Sequence, residues 1–146
     1  MEKKWRFVAD SAIPYTDILR DYADCVFCKA SDITPEVVRD ADALFVRTRT
    51  FCDAALLRGS RVSLVASATI GTDHIDTEWC SDNGVQVASV PGCNSSAVRQ
   101  YLFTALYALA QRKGISLQGL TLGVIGVGNV GSKVADFGRR LGFRVL

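Results

Sequence analysis

Histidine is nearly absent from this 146-residue sequence: His74 stands alone, so chemistry that needs an imidazole has one candidate and no second. Net charge is nearly absent too. Seventeen Lys and Arg against 15 Asp and Glu leave +2, too little for the electrostatic footprint of a nucleic-acid or membrane-surface partner. The basic pairs Lys3-Lys4 and Arg139-Arg140 read as solvated surface. No apolar run approaches the roughly 20 residues of a membrane span, and residues 1–10 lack the apolar stretch of a signal peptide. The expected compartment is therefore the cytoplasm. Cysteine is present without the even count of a disulfide framework: Cys25, Cys28, Cys52, Cys80 and Cys93 are odd in number and scattered, as suits free thiols in a reducing compartment. Cys25-Val-Phe-Cys28 matches C-x-x-C, but it falls in a strand-like run, where residues three apart point to opposite faces. No metal site is expected, and no internal repeat or low-complexity tract is present.

What the sequence does have is the composition of a globular protein, 49% hydrophobic and 22% charged, and a regular alternation. Apolar runs at 5–9, 26–29, 43–47, 62–68 and 85–90 predict strands, and 15–22, 34–39, 53–57 and 77–83 predict helices between them. The second of these helices has Thr34 as N-cap, Pro35 in its first turn and Glu36 behind it. Such β-α alternation implies a parallel sheet covered on both faces, so residues 1–93 read as a flavodoxin-like α/β domain. After Pro91-Gly92 comes the longest helical pattern, 95–112, with Val98, Leu102, Leu106 and Leu109 forming one apolar stripe and Lys113-Gly114 stopping it.

The run from Leu120 to Gly131, Leu-Thr-Leu-Gly-Val-Ile-Gly-Val-Gly-Asn-Val-Gly, is a buried strand leading into G-x-G-x-x-G. In a βαβ nucleotide unit Gly126 makes the tight turn, Gly128 lets the backbone approach a pyrophosphate, and Gly131 lets the next helix pack on the strand. Val130, Val134, Phe137 and Leu141 follow at helical spacing, Gly142 caps, and a second strand occupies 143–146. Residues 94–146 thus read as the opening of a Rossmann dinucleotide-binding domain. Its acidic ribose ligand, expected roughly 20 residues past the turn, falls where the sequence stops.

Three further segments sit at C-terminal ends of predicted strands, where open α/β sheets bind ligands. Val46-Arg47-Thr48-Arg49-Thr50 offers two guanidiniums and two hydroxyls, a set that suits a phosphate or carboxylate and equally fits a solvated loop. In the segment 68–76, Ala-Thr-Ile-Gly-Thr-Asp-His-Ile-Asp, the strand breaks at Gly71 into a turn whose N–H groups can form an anion nest. No carboxylate there is clearly placed to orient His74, since Asp73 and Asp76 are equally plausible helix caps, so His74 reads as structural. In Val90-Pro91-Gly92-Cys93-Asn94 the turn is rigid, with Asn94 or Ser95 as helix cap. Cys93 has no base at hand for a nucleophile's role.

Taken in order, Ala-Asp-Ala-Leu at 41–44, the segments 46–50, 68–76 and 91–94, and Gly-Val-Gly-Asn-Val-Gly at 126–131 resemble the D-2-hydroxyacid dehydrogenases, along the whole sequence but only over the N-terminal part of a family member. Gly-Thr-Asp-His, Pro-Gly-Cys-Asn and Val-Arg-x-x-Thr together are most similar to a branch that acts on a phosphorylated sugar acid. Each motif alone is shared with sister enzymes such as the phosphoglycerate dehydrogenases. The resemblance implies oxidation at C2 of a phosphorylated 2-hydroxy acid with hydride passing to NAD, by an enzyme that is a homodimer when full length. It implies that Thr48 and Thr69 contact substrate, that Arg47 lies beside its charged end, and that the backbone of Ile70 and Gly71 cradles the carboxylate. Asn129 and Val130 would present N–H groups to the pyrophosphate beside Gly126, Gly128 and Gly131. The family's proton-transfer histidine and glutamate and its carboxylate arginine are expected beyond residue 146, so no catalytic residue is assigned here. Gln100, after Arg99, stands where the family carries an acid, and Phe51 follows the substrate loop. The competing class is a non-catalytic protein on the same scaffold, like the corepressors that bind peptides under dinucleotide control. A finished flavodoxin-like binding module is a third reading, which an uncovered apolar helix stripe argues against.

Overall fold

The computed structural model describes residues 5–146. The Lys3-Lys4 pair, and the first four residues of the segment read for a signal peptide, lie outside them. Two compact units divide the chain, one running to Val90 and the other spanning Pro91–Leu146.

The first unit is a sheet of five parallel strands: β1 (Trp5–Asp10), β2 (Ala23–Cys28), β3 (Ala43–Val46), β4 (Leu64–Ser67) and β5 (Gln86–Ala88). Their order in space is β2-β1-β3-β4-β5, the flavodoxin-like winding. The register sets Phe7 opposite both Cys25 and Ala43, and Ala43 opposite Leu64. β1, β3 and β4 carry Val8, Leu44, Val46 and Val65 into a core closed by Val38, Leu56, Leu57, Ile75 and Cys80. Burying each of these aliphatic side chains contributes about 1.5–3 kcal/mol.

The helices are short. α1 (Pro35–Val38) opens on Pro35 as predicted, but Thr34 makes no side-chain cap bond; its hydroxyl bonds Glu36 instead, which holds that carboxyl below its usual range. α2 (Ala54–Leu57) is capped by Asp53, whose Oδ1 accepts the N–H groups of Ala55 at 2.9 Å and Leu56 at 3.1 Å. α3 (Thr77–Asp82) is capped by Asp76, which accepts from Trp79 N–H at 2.9 Å; of the two candidate caps, Asp76 is the one used. The stretch 15–22, predicted as a helix, is a 3-10 turn over Thr16–Asp21 with no buried residue. Tyr15 enters it in the left-handed region at φ 60, and Ile18 and Tyr22 face solvent, so no apolar face drives a full helix.

In the second unit α4 (Ser95–Lys113) and α5 (Asn129–Arg140) pack with the parallel pair β6 (Thr121–Leu122) and β7 (Arg144–Val145) around Phe103, Val134 and Phe143. Leu102 and Leu106 join that cluster, but Val98 and Leu109, placed on the same stripe by sequence, are exposed. Phe103 and Ala110 are the buried apolar positions, which turns the inward face of α4 away from the expected stripe. Neither Asn94 nor Ser95 caps α4 as expected: Asn94 makes no cap bond, and the Ser95 hydroxyl donates backwards to the Gly92 carbonyl at 2.6 Å. Gly114 and Gly142 follow their helices as predicted. The strand read at 120–125 is regular only at Thr121–Leu122, and Ile125 is fully exposed. Its one strand neighbour among the described residues is β7, so a run patterned for burial is covered on few sides.

Candidate functional site

Because the five strands are parallel, their C-terminal ends share one edge of the first unit, and the loops after β1, β2, β3 and β4 gather there. The chain winds from β1 to β2 on one side and to β3 on the other, and such a switch point is where open α/β sheets leave a crevice for ligands. The crevice is present here as a cleft of about 600 Å³ lined by Asp10, Ser11, Lys29, Ser31, Arg47 and Arg49. Asp10 forms its buried floor, 3% exposed, and its Oδ1 accepts the Ala12 N–H at 2.9 Å. The Ser11 N–H donates to the Cys28 carbonyl at 2.8 Å, so the loops after β1 and β2 are fixed to one another.

The loop after β4 is organised by Ser67. Its buried hydroxyl accepts the Thr69 N–H at 3.3 Å and lies 3.1 Å from the Thr69 carbonyl, 3.2 Å from Thr69 Oγ1 and 3.3 Å from His74 Nε2. One hydroxyl proton cannot serve all these acceptors, so the network needs the imidazole or the threonine as a donor in turn. Burial pushes the His74 imidazole below its ordinary pKa, with the Asp73 carboxylate opposing. A neutral, buried imidazole held by Ser67 fixes the 69–74 turn. Cys52 then ties that turn to the loop after β3: its N–H donates to the His74 carbonyl at 2.8 Å, and its carbonyl accepts the Asp76 N–H at 2.9 Å. The Cys52 thiol, pushed up to about 12 chiefly by burial, has no nucleophilic use at neutral pH.

In the second unit Gly126 turns at φ 88 and Gly128 is the N-cap of α5. The Ser132 N–H is bonded to the Gly128 carbonyl at 3.0 Å, and the N–H groups ahead of it have no intrahelical acceptor. The three glycines differ in what surrounds them. A Cβ on Gly131 would lie 1.9 Å from the Gly126 carbonyl oxygen, whereas one on Gly128 would meet nothing within 4 Å. Open space before a helix N-terminus, with free N–H groups and the positive end of the dipole, fits a pyrophosphate. Lys133 adds a cation nearby, its Nζ donating to Ser95 Oγ at 2.7 Å and Ser96 Oγ at 3.0 Å.

Of the residues read from sequence, Arg47 is half-buried and lines the cleft, Thr48 is exposed beside it, and Thr69, Ile70 and Gly71 lie in the turn held by Ser67. Asn129, Val130 and Gly131 form the first turn of α5. Sequence reading missed Asp10, Lys29, Ser67 and Cys52. Three of them left a signal: Asp10, Lys29 and Ser67 are polar residues at the ends of apolar strand runs, where ligand loops begin. Cys52 left none, because its role is carried by backbone atoms.

The family model described as "D-isomer specific 2-hydroxyacid dehydrogenase, catalytic domain" matches residues 8–126. The chain belongs to the D-isomer specific 2-hydroxyacid dehydrogenases. It is 49% identical over 143 residues to an erythronate-4-phosphate dehydrogenase of Bacteroides fragilis, covering 97% of this chain and 41% of that protein. Against the enzyme of the same name from Marinobacter nauticus it is 43% identical, over 94% of this chain and 36% of that protein. The chain thus spans about two fifths of the length of the curated relatives it matches. Among solved structures, 3-phosphoglycerate dehydrogenase of Entamoeba histolytica, bound to NAD+, matches with a TM-score of 0.73 and 24% identity, over 98% of this chain and 53% of that one. D-lactate dehydrogenase of Aquifex aeolicus, complexed with NAD and lactic acid, matches at 0.72 and 23%, over 95% and 50%. These likenesses carry the fold of a 2-hydroxyacid dehydrogenase. Gln100 is exposed on α4.

Proposed function

We propose that these residues supply the substrate-binding unit and the opening of the cofactor-binding unit of an NAD-dependent dehydrogenase that oxidises 4-phospho-D-erythronate at C2, in pyridoxal phosphate (vitamin B6) biosynthesis. The observation that carries the reading is the 49% identity, over 97% of the chain, to a protein named for that substrate. The geometry supports it. Arg47 and Arg49 occupy the crevice of the first unit, and Ser67 shapes the 69–71 turn so that its backbone can receive a carboxylate. NAD, when bound, accepts the hydride from C2. The residues in hand bind and orient: Thr48 and Thr69 contact the substrate, Arg47 lies beside its charged end, and the Ile70 and Gly71 backbone holds its carboxylate. The N–H groups of Asn129 and Val130 hold the pyrophosphate at the glycine turn. The homodimer is an expectation that rests on the resemblance to the family, and the cytoplasmic location one that rests on the sequence, which shows neither a membrane-length apolar run nor a signal-peptide stretch.

The test is the oxidation of 4-phosphoerythronate by the intact enzyme with NAD, followed by nicotinamide absorbance, with 3-phosphoglycerate as competing substrate. A higher kcat/KM for 4-phosphoerythronate is expected, and a preference for 3-phosphoglycerate rejects the assignment within the family. Thr69→Val should lower kcat/KM by about tenfold or more, the loss of one hydrogen bond to a charged group. Unchanged kinetics would remove Thr69 from the site.

A further inference from the structure

The two long helices of the second unit begin close together, and neither start is closed in the usual way. Asn94 precedes α4 and Gly128 precedes α5, and neither makes a side-chain cap bond; no acidic residue stands in either first turn. By contrast, Asp53 and Asp76 cap α2 and α3. An uncapped first turn is prone to fray, because its N–H groups have no acceptor. At α5 that turn is steadied instead by the segment in front of α4. A Cβ on Gly92, at φ 77, would lie 2.7 Å from Asn129 Cγ, so the Asn129 side chain rests directly on the bare α-carbon. Four residues further along α5, Lys133 Nζ donates to Ser95 Oγ at 2.7 Å and to Ser96 Oγ at 3.0 Å. Ser95 is itself fixed. It is 1% exposed and donates its hydroxyl proton to the Gly92 carbonyl at 2.6 Å, which leaves its lone pairs for the ammonium. The contacts close a ring: Asn129 on Gly92, Gly92 to Ser95, Ser95 to Lys133, and Lys133 back along α5 to Asn129.

We propose that Lys133 is a positioning residue of the cofactor site: through Ser95 it holds the 91–95 segment behind Asn129, so that the glycine turn is shaped before a dinucleotide arrives. The inference rests on the proposed dehydrogenase reading for the identity of that ligand, and on the ring of contacts alone for the ordering of the turn. Lys133 touches no ligand in this role. A cation near the positive end of a helix dipole is unfavourably placed for the helix itself, and its two bonds to serines give the position another use. The turn it steadies is closed by the Ser132 N–H on the Gly128 carbonyl at 3.0 Å, one residue before Lys133. Ordering that turn in advance removes a cost that binding would otherwise carry, so a preorganised row of N–H groups holds an anion more tightly than a frayed one.

The experiment uses the intact protein and the variants Lys133→Met, Lys133→Arg, Ser95→Ala and the double Lys133→Met with Ser95→Ala, with thermal melts to confirm folding. NAD is titrated into each and followed by calorimetry, which needs no turnover. Lys133→Met should bind NAD about fivefold or more weakly while KM for 4-phosphoerythronate stays within about twofold of wild type. Lys133→Arg should keep most of the affinity, since it retains donors for both hydroxyls. Ser95→Ala preserves the lysine charge and breaks the ring, so it should lose NAD affinity as Lys133→Met does, and the double variant should be no weaker than the worse single. Without ligand, the Ser132 amide should exchange its hydrogen about tenfold faster in Lys133→Met. Equal NAD affinity in wild type and Lys133→Met overturns the positioning role, and a lowered melting temperature beside that equality makes the bridge structural only. A loss in Lys133→Met with none in Ser95→Ala also overturns it, because charge alone would then act. All these results leave the enzyme assignment standing. A wild-type protein that binds no NAD rejects the dehydrogenase reading and the positioning role with it, and Ser132 exchange then reports whether the ring still orders the turn.

Discussion

At the residue scale, two buried polar side chains make opposite contributions. Thr50 Oγ1 is buried without a hydrogen-bond partner among the described residues, a condition that costs about 1–3 kcal/mol of lost hydration. Thr50→Val keeps the shape and removes the stranded hydroxyl, so it should raise stability by about 1 kcal/mol in chemical denaturation; a loss of that size would show that the hydroxyl is satisfied in solution. His74 is partnered, and its neutrality matters. Its folded imidazole ionises below the ordinary 6.5, so between the folded pKa and 6.5 the unfolded chain binds more protons than the folded one. The stabilisation is complete above that window and drains away as pH falls through it. Thermal melts between about pH 7.5 and 5.5 should show the decline, and His74→Gln should flatten it; an equal slope in both would assign the effect to carboxylates. Sequence reading reached the structural role of His74 by finding no carboxylate clearly placed to orient it. It did not reach the role of Ser67: a serine at the end of an apolar run marks where a ligand loop begins, without revealing that the chain will turn back over it.

At the element scale, the helix starts show what local pattern carries. Asp53 and Asp76 cap α2 and α3 within a few residues of chain, so proximity alone makes the bonds. The predicted caps at Thr34 and Ser95 fail because other acceptors, the Glu36 carboxylate and the Gly92 carbonyl, take their hydroxyls, and Asn94 makes no cap bond. The five strands and their parallel direction were legible from alternation, but the inward face of α4 was not: its apolar residues surround the helix, and only contact with Val134 and Phe143 selects Phe103. The glycine turn allows a paired test. Gly131→Ala places a Cβ on the Gly126 carbonyl and should destabilise the second unit by about 1–3 kcal/mol, as overpacking does. At Gly128 a Cβ meets no protein atom within 4 Å, so the fold should survive Gly128→Val while the branched side chain occupies the space a pyrophosphate needs. Calorimetry with NAD beside melting curves separates the two, and wild-type affinity in Gly128→Val would mean that the glycine turn is structural only.

At the scale of the whole molecule, the boundary at Val90 and Pro91 is open to attack: Val90, Pro91, Cys93 and Asn94 are all exposed. Brief digestion with a protease of broad specificity should cut first within 89–94, since exposed connections between compact units are nicked before their interiors; first cuts inside β3 or β4 would contradict the division. The winding of the sheet also sets an order in time. β1 is an interior strand yet precedes both its partners in the chain, and its inner partner β3 is paired through Phe7 and Ala43, 36 residues apart. On a ribosome, Val8 and Ala9 therefore wait, apolar and half-paired, until the chain through Val46 has emerged, and parallel strands offer no hairpin to shorten the delay. During that interval the nascent segment is a natural client for chaperones that recognise extended apolar chain.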